Sequence, residues 1–154
     1  MSLPATDAGD RTMVIERRIA APVAAVWAAW TDPARLPLWW GPEGFSCRTA
    51  RIDLREGGEW VFDMIGPDGT VYPNHHRYRR MTHCQRIDYT LHWGEGGPVH
   101  AEASVRFVTR DGGTLVTMAM VFVTVAEFEA ARGFGAVALG LQTLGKLARH
   151  IGAD

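Results

Sequence analysis

The stretch RIDYTLHWGEGGPVHAEASVRFVTRDGGTLVTMAMVF, Arg86 to Phe122, decides the fold. Ile87, Tyr89, Leu91 and Trp93 alternate with Asp88, Thr90 and His92, and Ala101, Ala103, Val105 and Phe107 alternate with Glu102, Ser104 and Arg106. Val116, Met118, Met120 and Phe122 continue the pattern in a third run. A period of two puts every second side chain on one face, which is the mark of a strand with one buried side. Gly94-Glu95-Gly96-Gly97-Pro98 and Arg110-Asp111-Gly112-Gly113 separate the runs. Links this short and this rich in turn residues make hairpins, so neighbouring strands are antiparallel.

The same period extends toward the N-terminus. Phe45 to Leu54 and Gly58 to Ile65 read as strands around a Glu56-Gly57-Gly58 turn, with Trp60, Phe62 and Met64 opposite Glu59, Val61 and Asp63. Gly66-Pro67-Asp68-Gly69 turns the chain into a strand over Val71 to Met81. Met13, Ile15, Arg17 and Ile19 share one parity of a first strand, which stops at Ala21-Pro22. Between them the period is helical: Val23, Val26, Trp27 and Trp30, then a break at Thr31-Asp32-Pro33, then Leu36, Trp39 and Trp40 up to Gly41-Pro42. Ala126 to Ile151 reads as one long helix, with Phe134, Val137, Ala138, Leu141, Leu144, Ala148 and Ile151 as its apolar stripe. The expected class is α+β: about seven antiparallel strands in a curved sheet, two short helices after strand one, and a long C-terminal helix. That helix is the one element able to cover the apolar face. A curved sheet cannot close on a single helix everywhere, so a pocket is expected between them.

Composition bounds the function. The chain has 154 residues, 47% of them hydrophobic, and a formal net charge of -1. That charge argues neither for nucleic acid nor for an acidic membrane as a partner, and none is expected. Residues 1–12 read as a flexible polar tail and 13–152 as one domain. With no apolar leader or span and with two cysteines, Cys47 and Cys84, the expectation is a cytoplasmic protein with reduced thiols that does not insert into a membrane.

Several pieces together carry a resemblance. Val26-Trp27-Ala28-Ala29-Trp30-Thr31-Asp32-Pro33 after Ala21-Pro22, Leu38-Trp39-Trp40-Gly41-Pro42-Glu43-Gly44-Phe45, Asp53-Leu54-Arg55-Glu56-Gly57-Gly58 and Tyr72-Pro73-Asn74-His75 are among them. As a set, from about Met13 to Ile151, they resemble bacterial proteins related to the activator of the ninety-kilodalton heat-shock protein ATPase, in the START-like (SRPBCC) superfamily. The resemblance implies the helix-grip fold and a ligand cavity, and no particular reaction. Where relatives carry a Gly-Trp pair this chain has Gly140-Leu141, which reshapes that end of the cavity.

The candidate cavity residues are Trp39, Trp40, Trp60, Phe62, Met64, His75, Arg77, Tyr89, Trp93, Met118, Met120, Phe134 and Leu141. Trp39-Trp40 before Gly41 read either as a hinged lid or as packing on the sheet edge. Met64, Met118 and Met120 suit an adaptable wall. Over Val71 to Met81 the inward parity is set by Met81, which turns His75, Arg77 and Arg79 inward and gives the cavity a cationic rim for an acidic head group. His75, His76, His83 and Cys84 lack metal-ligand spacing, and Ser46 and Ser104 lack a nucleophile elbow, so neither a metal site nor an acyl-transfer site is expected, and no cofactor is assigned. Three functions compete. The first is a carrier or sensor of a small hydrophobic or amphipathic molecule. The second is an enzyme of cyclase, dehydratase or hydrolase type using His75, Tyr78 or Asp63. The third is a co-chaperone-like binding module. The assembly is left open, a homodimer included.

Overall fold

The computed structural model describes residues 9–153. The expected tail over 1–12 therefore falls mostly outside the described residues. Its last part is already in the fold: Arg11 is buried and donates to the Phe122 carbonyl at 2.5 Å, and Thr12 opens the first strand.

The elements follow in the order β1 (Thr12–Ile19), α1 (Val23–Thr31), α2 (Leu36–Trp39), β2 (Ser46–Ile52), β3 (Glu59–Ile65), β4 (Val71–Thr82), β5 (Arg86–Trp93), β6 (Val99–Arg110), β7 (Gly113–Phe122), α3 (Val125–Gly133) and α4 (Ala136–Ile151). The strands make one antiparallel sheet in the order β1-β7-β6-β5-β4-β3-β2. Hairpins link β2 through β7, and the two short helices carry the chain from β1 at one edge to β2 at the other. The expected class stands.

Two expectations about faces are corrected. The C-terminal stretch is two helices, because Gly135 sits at φ 88° and ends the first. Thr124 caps α3, accepting from the Glu127 backbone N–H at 3.0 Å, so α3 starts as an independent unit. The inward stripe of α4 is Thr143, Leu144, Leu147 and Ala148, while Phe134, Val137 and Leu141 are exposed. Two apolar stripes overlap in this sequence. Gly140 faces β1: a Cβ there would lie 2.1 Å from Ile15 Cδ1, so a larger residue would require the Ile15 side chain to move.

The second correction concerns β4. Trp60 pairs with His76 and Tyr78 with Tyr89, so His76 and Tyr78 face inward, with Trp60 and Tyr89. His75 pairs with Val61 and Arg77 with Glu59, on the outer face. Met81 does face the core, opposite Ile87. A bulge between Tyr78 and Arg80 inserts one residue and reverses the parity, so Met81 shares a face with Tyr78 and not with Arg77. The cationic rim built on that parity is withdrawn with it.

Candidate functional site

The space between sheet and helices divides into a filled end and an open end. At the filled end Trp30, Trp39, Trp60, Phe62 and Phe107 belong to one buried cluster with Leu144 and Leu147. Trp60 stacks on Phe62 at 3.6 Å between centroids and donates from Nε1 to the Thr49 hydroxyl at 3.0 Å. Trp39 donates from Nε1 to the Ala29 carbonyl at 3.1 Å. Both tryptophans are spent on packing.

At the open end α4 presents Ala136, Leu139, Gly140 and Thr143, which are mostly small, and the sheet presents Met64, Tyr89, Leu91, Met118 and Met120. Small side chains on one side and thin, flexible ones on the other leave a cavity of about 260 Å³. Trp40, Gly41, Pro42 and Phe45 wall one side, and Tyr72, Trp93 and Phe134 stand at exposed positions around it. Trp93 is 57% and Phe134 68% exposed, which marks the mouth. No charged side chain lines this cavity among the described residues.

The wall carrying Trp40 is pinned at several points. Lys146 donates to the carbonyls of Pro42 and Phe45 at 3.3 and 3.2 Å. The Glu43 N–H reaches Gln142 Oε1 at 3.1 Å, and Arg149 pairs with Glu43. Trp40 itself meets Trp30, Trp39, Trp60 and His76 edge to face, with centroids 5.5–6.0 Å apart. These contacts make it a partition between core and cavity, which is the packing reading of the Trp39-Trp40 pair.

Of the sequence-derived candidates, Trp40, Met64, Tyr89, Trp93, Met118, Met120 and Phe134 come together around the cavity. Trp39, Trp60 and Phe62 belong to the core behind it, and Leu141 lies on the exposed side of α4. His75 and Arg77 are on the far side of the sheet. There His75 Nε2 lies 2.8 Å from Glu59 Oε1, a bond that is the main reason the Glu59 carboxyl is held below its usual range. Asp63 is also outside, paired with Arg48 at 2.8 Å, and Tyr78 is buried in the core. None of the three acid-base candidates, His75, Tyr78 and Asp63, therefore lines the cavity. Ile15, Leu91, Leu139 and Gly140 were missed. Ile15 and Leu91 had the right parity in sequence, but only the position of α4 tells cavity from core. No group of three or more His, Cys, Asp or Glu side chains that could hold a metal is assembled among the described residues.

His76 sits behind the partition, with its ring 4.8 Å from that of Tyr89 and 5.1 Å from that of Phe62. Burial, and secondarily the neighbouring His100, His75 and His92, push its pKa down to about 3 from 6.5. A depressed histidine means that the unfolded chain takes the proton first as pH falls below 6.5. Stability is therefore full above that value and declines on acidification, by about 2 kcal/mol at about pH 5 from this residue alone. Urea unfolding near pH 7.5 and pH 5 should show this loss, and His76→Phe should lose about that much less. Equal acid sensitivity of the two proteins would contradict it.

The chain has clear relatives. The family model described as Activator of Hsp90 ATPase homolog 1-like protein matches residues 20–151. A crystal structure of a Nitrosomonas europaea protein is similar at 25% identity with a TM-score of 0.83, covering 92% of this chain and 94% of that one. One from Mycobacterium smegmatis is similar at 23% identity and 0.83, covering 93% and 92%. A solution structure from Arthrobacter aurescens gives 20% and 0.83, covering 100% and 92%. No curated protein matches the chain. None of the described helices is long and apolar enough to cross a membrane.

Proposed function

The chain belongs to the family of Activator of Hsp90 ATPase homolog 1-like proteins, and we propose that it binds a small, predominantly apolar molecule in the cavity between the sheet and α4, as a carrier or sensor. The observation behind this reading is the cavity itself, about 260 Å³ and walled by Met64, Leu91, Met118, Met120 and Leu139. Apolar cavities of about 150 Å³ stay dry and take up benzene. By proportion this one suits a ligand of about ten non-hydrogen atoms. Burying such a ligand against thioethers and aromatic rings is driven by the apolar area removed from water. An enzymatic reading gains nothing from the geometry, because His75, Asp63 and Tyr78 lie away from the cavity lining.

A cytoplasmic setting fits the same reading. Cys47 and Cys84 are both free, and burial pushes the Cys47 thiol up to about 12, so it is an inert packing group.

Titration with 4-isopropyltoluene, an uncharged aromatic hydrocarbon of the fitting size, tests the proposal. Saturable binding of one equivalent, with a change in tryptophan fluorescence from Trp40 and Trp93, is expected. Uptake that never saturates would contradict a defined site.

A further inference from the structure

We propose that α3 and residues 136–142 of α4 form a lid that closes over the cavity when the apolar ligand is bound. The inference rests on the binding function proposed above and adds how that site is entered and shut.

The walls of the cavity differ in how firmly they are held. Met64, Leu91, Met118 and Met120 stand on strands paired to a neighbour on each side. Pro42 and Phe45 are tied to the second half of α4 by Lys146. The helical roof has no such anchor. Among the described residues, those from 125 to 142 include no buried side chain, whereas Thr143, Leu144, Leu147 and Ala148 of α4 are all buried. Helices in proteins draw most of their stability from packing an apolar face, and this stretch lies over the cavity instead of the core. Elements with so little buried surface open at low free energy, and lids are drawn from them.

The joint between the two helices is suited to turning. Gly133 closes α3 without a positive φ, and a Cβ there would meet nothing within 4 Å, so neither the backbone nor the packing requires glycine. Gly135, at φ 88°, then makes the left-handed step into α4. Phe134 lies between them, 68% exposed and yet part of the cavity lining. An aromatic ring left in water at the mouth of an apolar cavity gains buried area by folding over a ligand.

No residue of α3 lines the cavity, but α3 is coupled to it. Phe128 meets Phe122 of β7 edge to face at 6.0 Å, and with Ala131 it packs on the small cluster of Met13, Ala101 and Phe122. Leu91, Met120 and Ala136 pack on the same cluster and also line the cavity. A ligand seated against those three extends the apolar surface on which α3 rests, so α3 and the start of α4 settle together.

Hydrogen exchange of the full chain, read residue by residue with and without saturating 4-isopropyltoluene, tests the lid. In the free protein, hydrogen-bonded amides over 125–142 should exchange at least about tenfold faster than those over 143–151. Saturation should slow the α3 amides by about tenfold or more, although α3 does not touch the ligand; a fixed roof predicts no change there. Phe134→Ala should weaken probe affinity about tenfold and shrink that slowing. Its melting temperature without the probe should match wild type, since the side chain is exposed. Saturable binding that leaves α3 exchange unchanged would overturn the lid and leave apolar binding intact. So would α3 amides as slow as those over 143–151 before the probe is added, or undiminished affinity in Phe134→Ala. Absence of saturable binding would remove the binding function and the lid with it. The wild-type exchange decides the matter even if the variant does not fold.

Discussion

Trp60→Ala is expected to lower the free energy of unfolding by about 3–5 kcal/mol, the usual cost of deleting a large buried aromatic. Trp60 is fully buried, stacks on Phe62 and meets Trp40 and His76 edge to face at 6.0 and 5.6 Å. Its Nε1 also ties β3 to β2 through the Thr49 hydroxyl. Removing the indole empties the middle of the aromatic cluster, and the rigid rings around it have little freedom to collapse into the gap. The partition at Trp40 should loosen with it. Urea denaturation checks the loss; a change below about 1 kcal/mol would show that the cluster repacks easily and that the filled end is not the rigid base described here.

Met118→Trp is expected to abolish uptake of 4-isopropyltoluene, weakening it by about a hundredfold or more. Met118 lies on β7 between Ile15 of β1 and Val105 of β6, and its side chain lines the cavity. An indole there has to enter the cavity, because the strand neighbours on both sides are buried. Overpacking ordinarily costs about 1–3 kcal/mol, and the open space should keep the cost at the lower end. The variant should therefore fold and fail to bind. Calorimetric titration beside a thermal melt reads both outcomes, and undiminished affinity in a folded variant would put the ligand somewhere else.

The sheet was readable because its strands carry firm alternation. In Ile87, Tyr89, Leu91 and in Val116, Met118 a slip of one residue would expose every apolar side chain, so sequence alone fixes their faces. β4 was not readable, for a physical reason. It carries His75, His76, Arg77, Tyr78, Arg79 and Arg80, with little apolar contrast, and its parity changes at the bulge before Arg80. A bulge arises from the fit of two strands, and one strand's composition does not announce it. The same limit applies to the cavity. Trp60, Phe62, Met64 and Met118 share an inward face, yet Trp60 and Phe62 are core while Met64 and Met118 are lining. What separates them is the opposing helix: Leu144 and Leu147 belong to the filled cluster, and Ala136 and Gly140 border the open end. α4 begins at Gly135 and meets β1 at Gly140, where its neighbour Ile15 lies more than a hundred residues earlier in the chain.

Methionine methyl groups offer the most direct test of ligand uptake in this cavity. Met64, Met118 and Met120 line it, whereas Met81 lies on β4 opposite Ile87, away from it. With isotope-labelled methionine methyls observed by NMR, saturating 4-isopropyltoluene should shift Met64, Met118 and Met120 together along one binding curve, through the ring current of the probe. Met81 should stay where it is. Saturable binding that moves none of the three lining methyls would contradict the account.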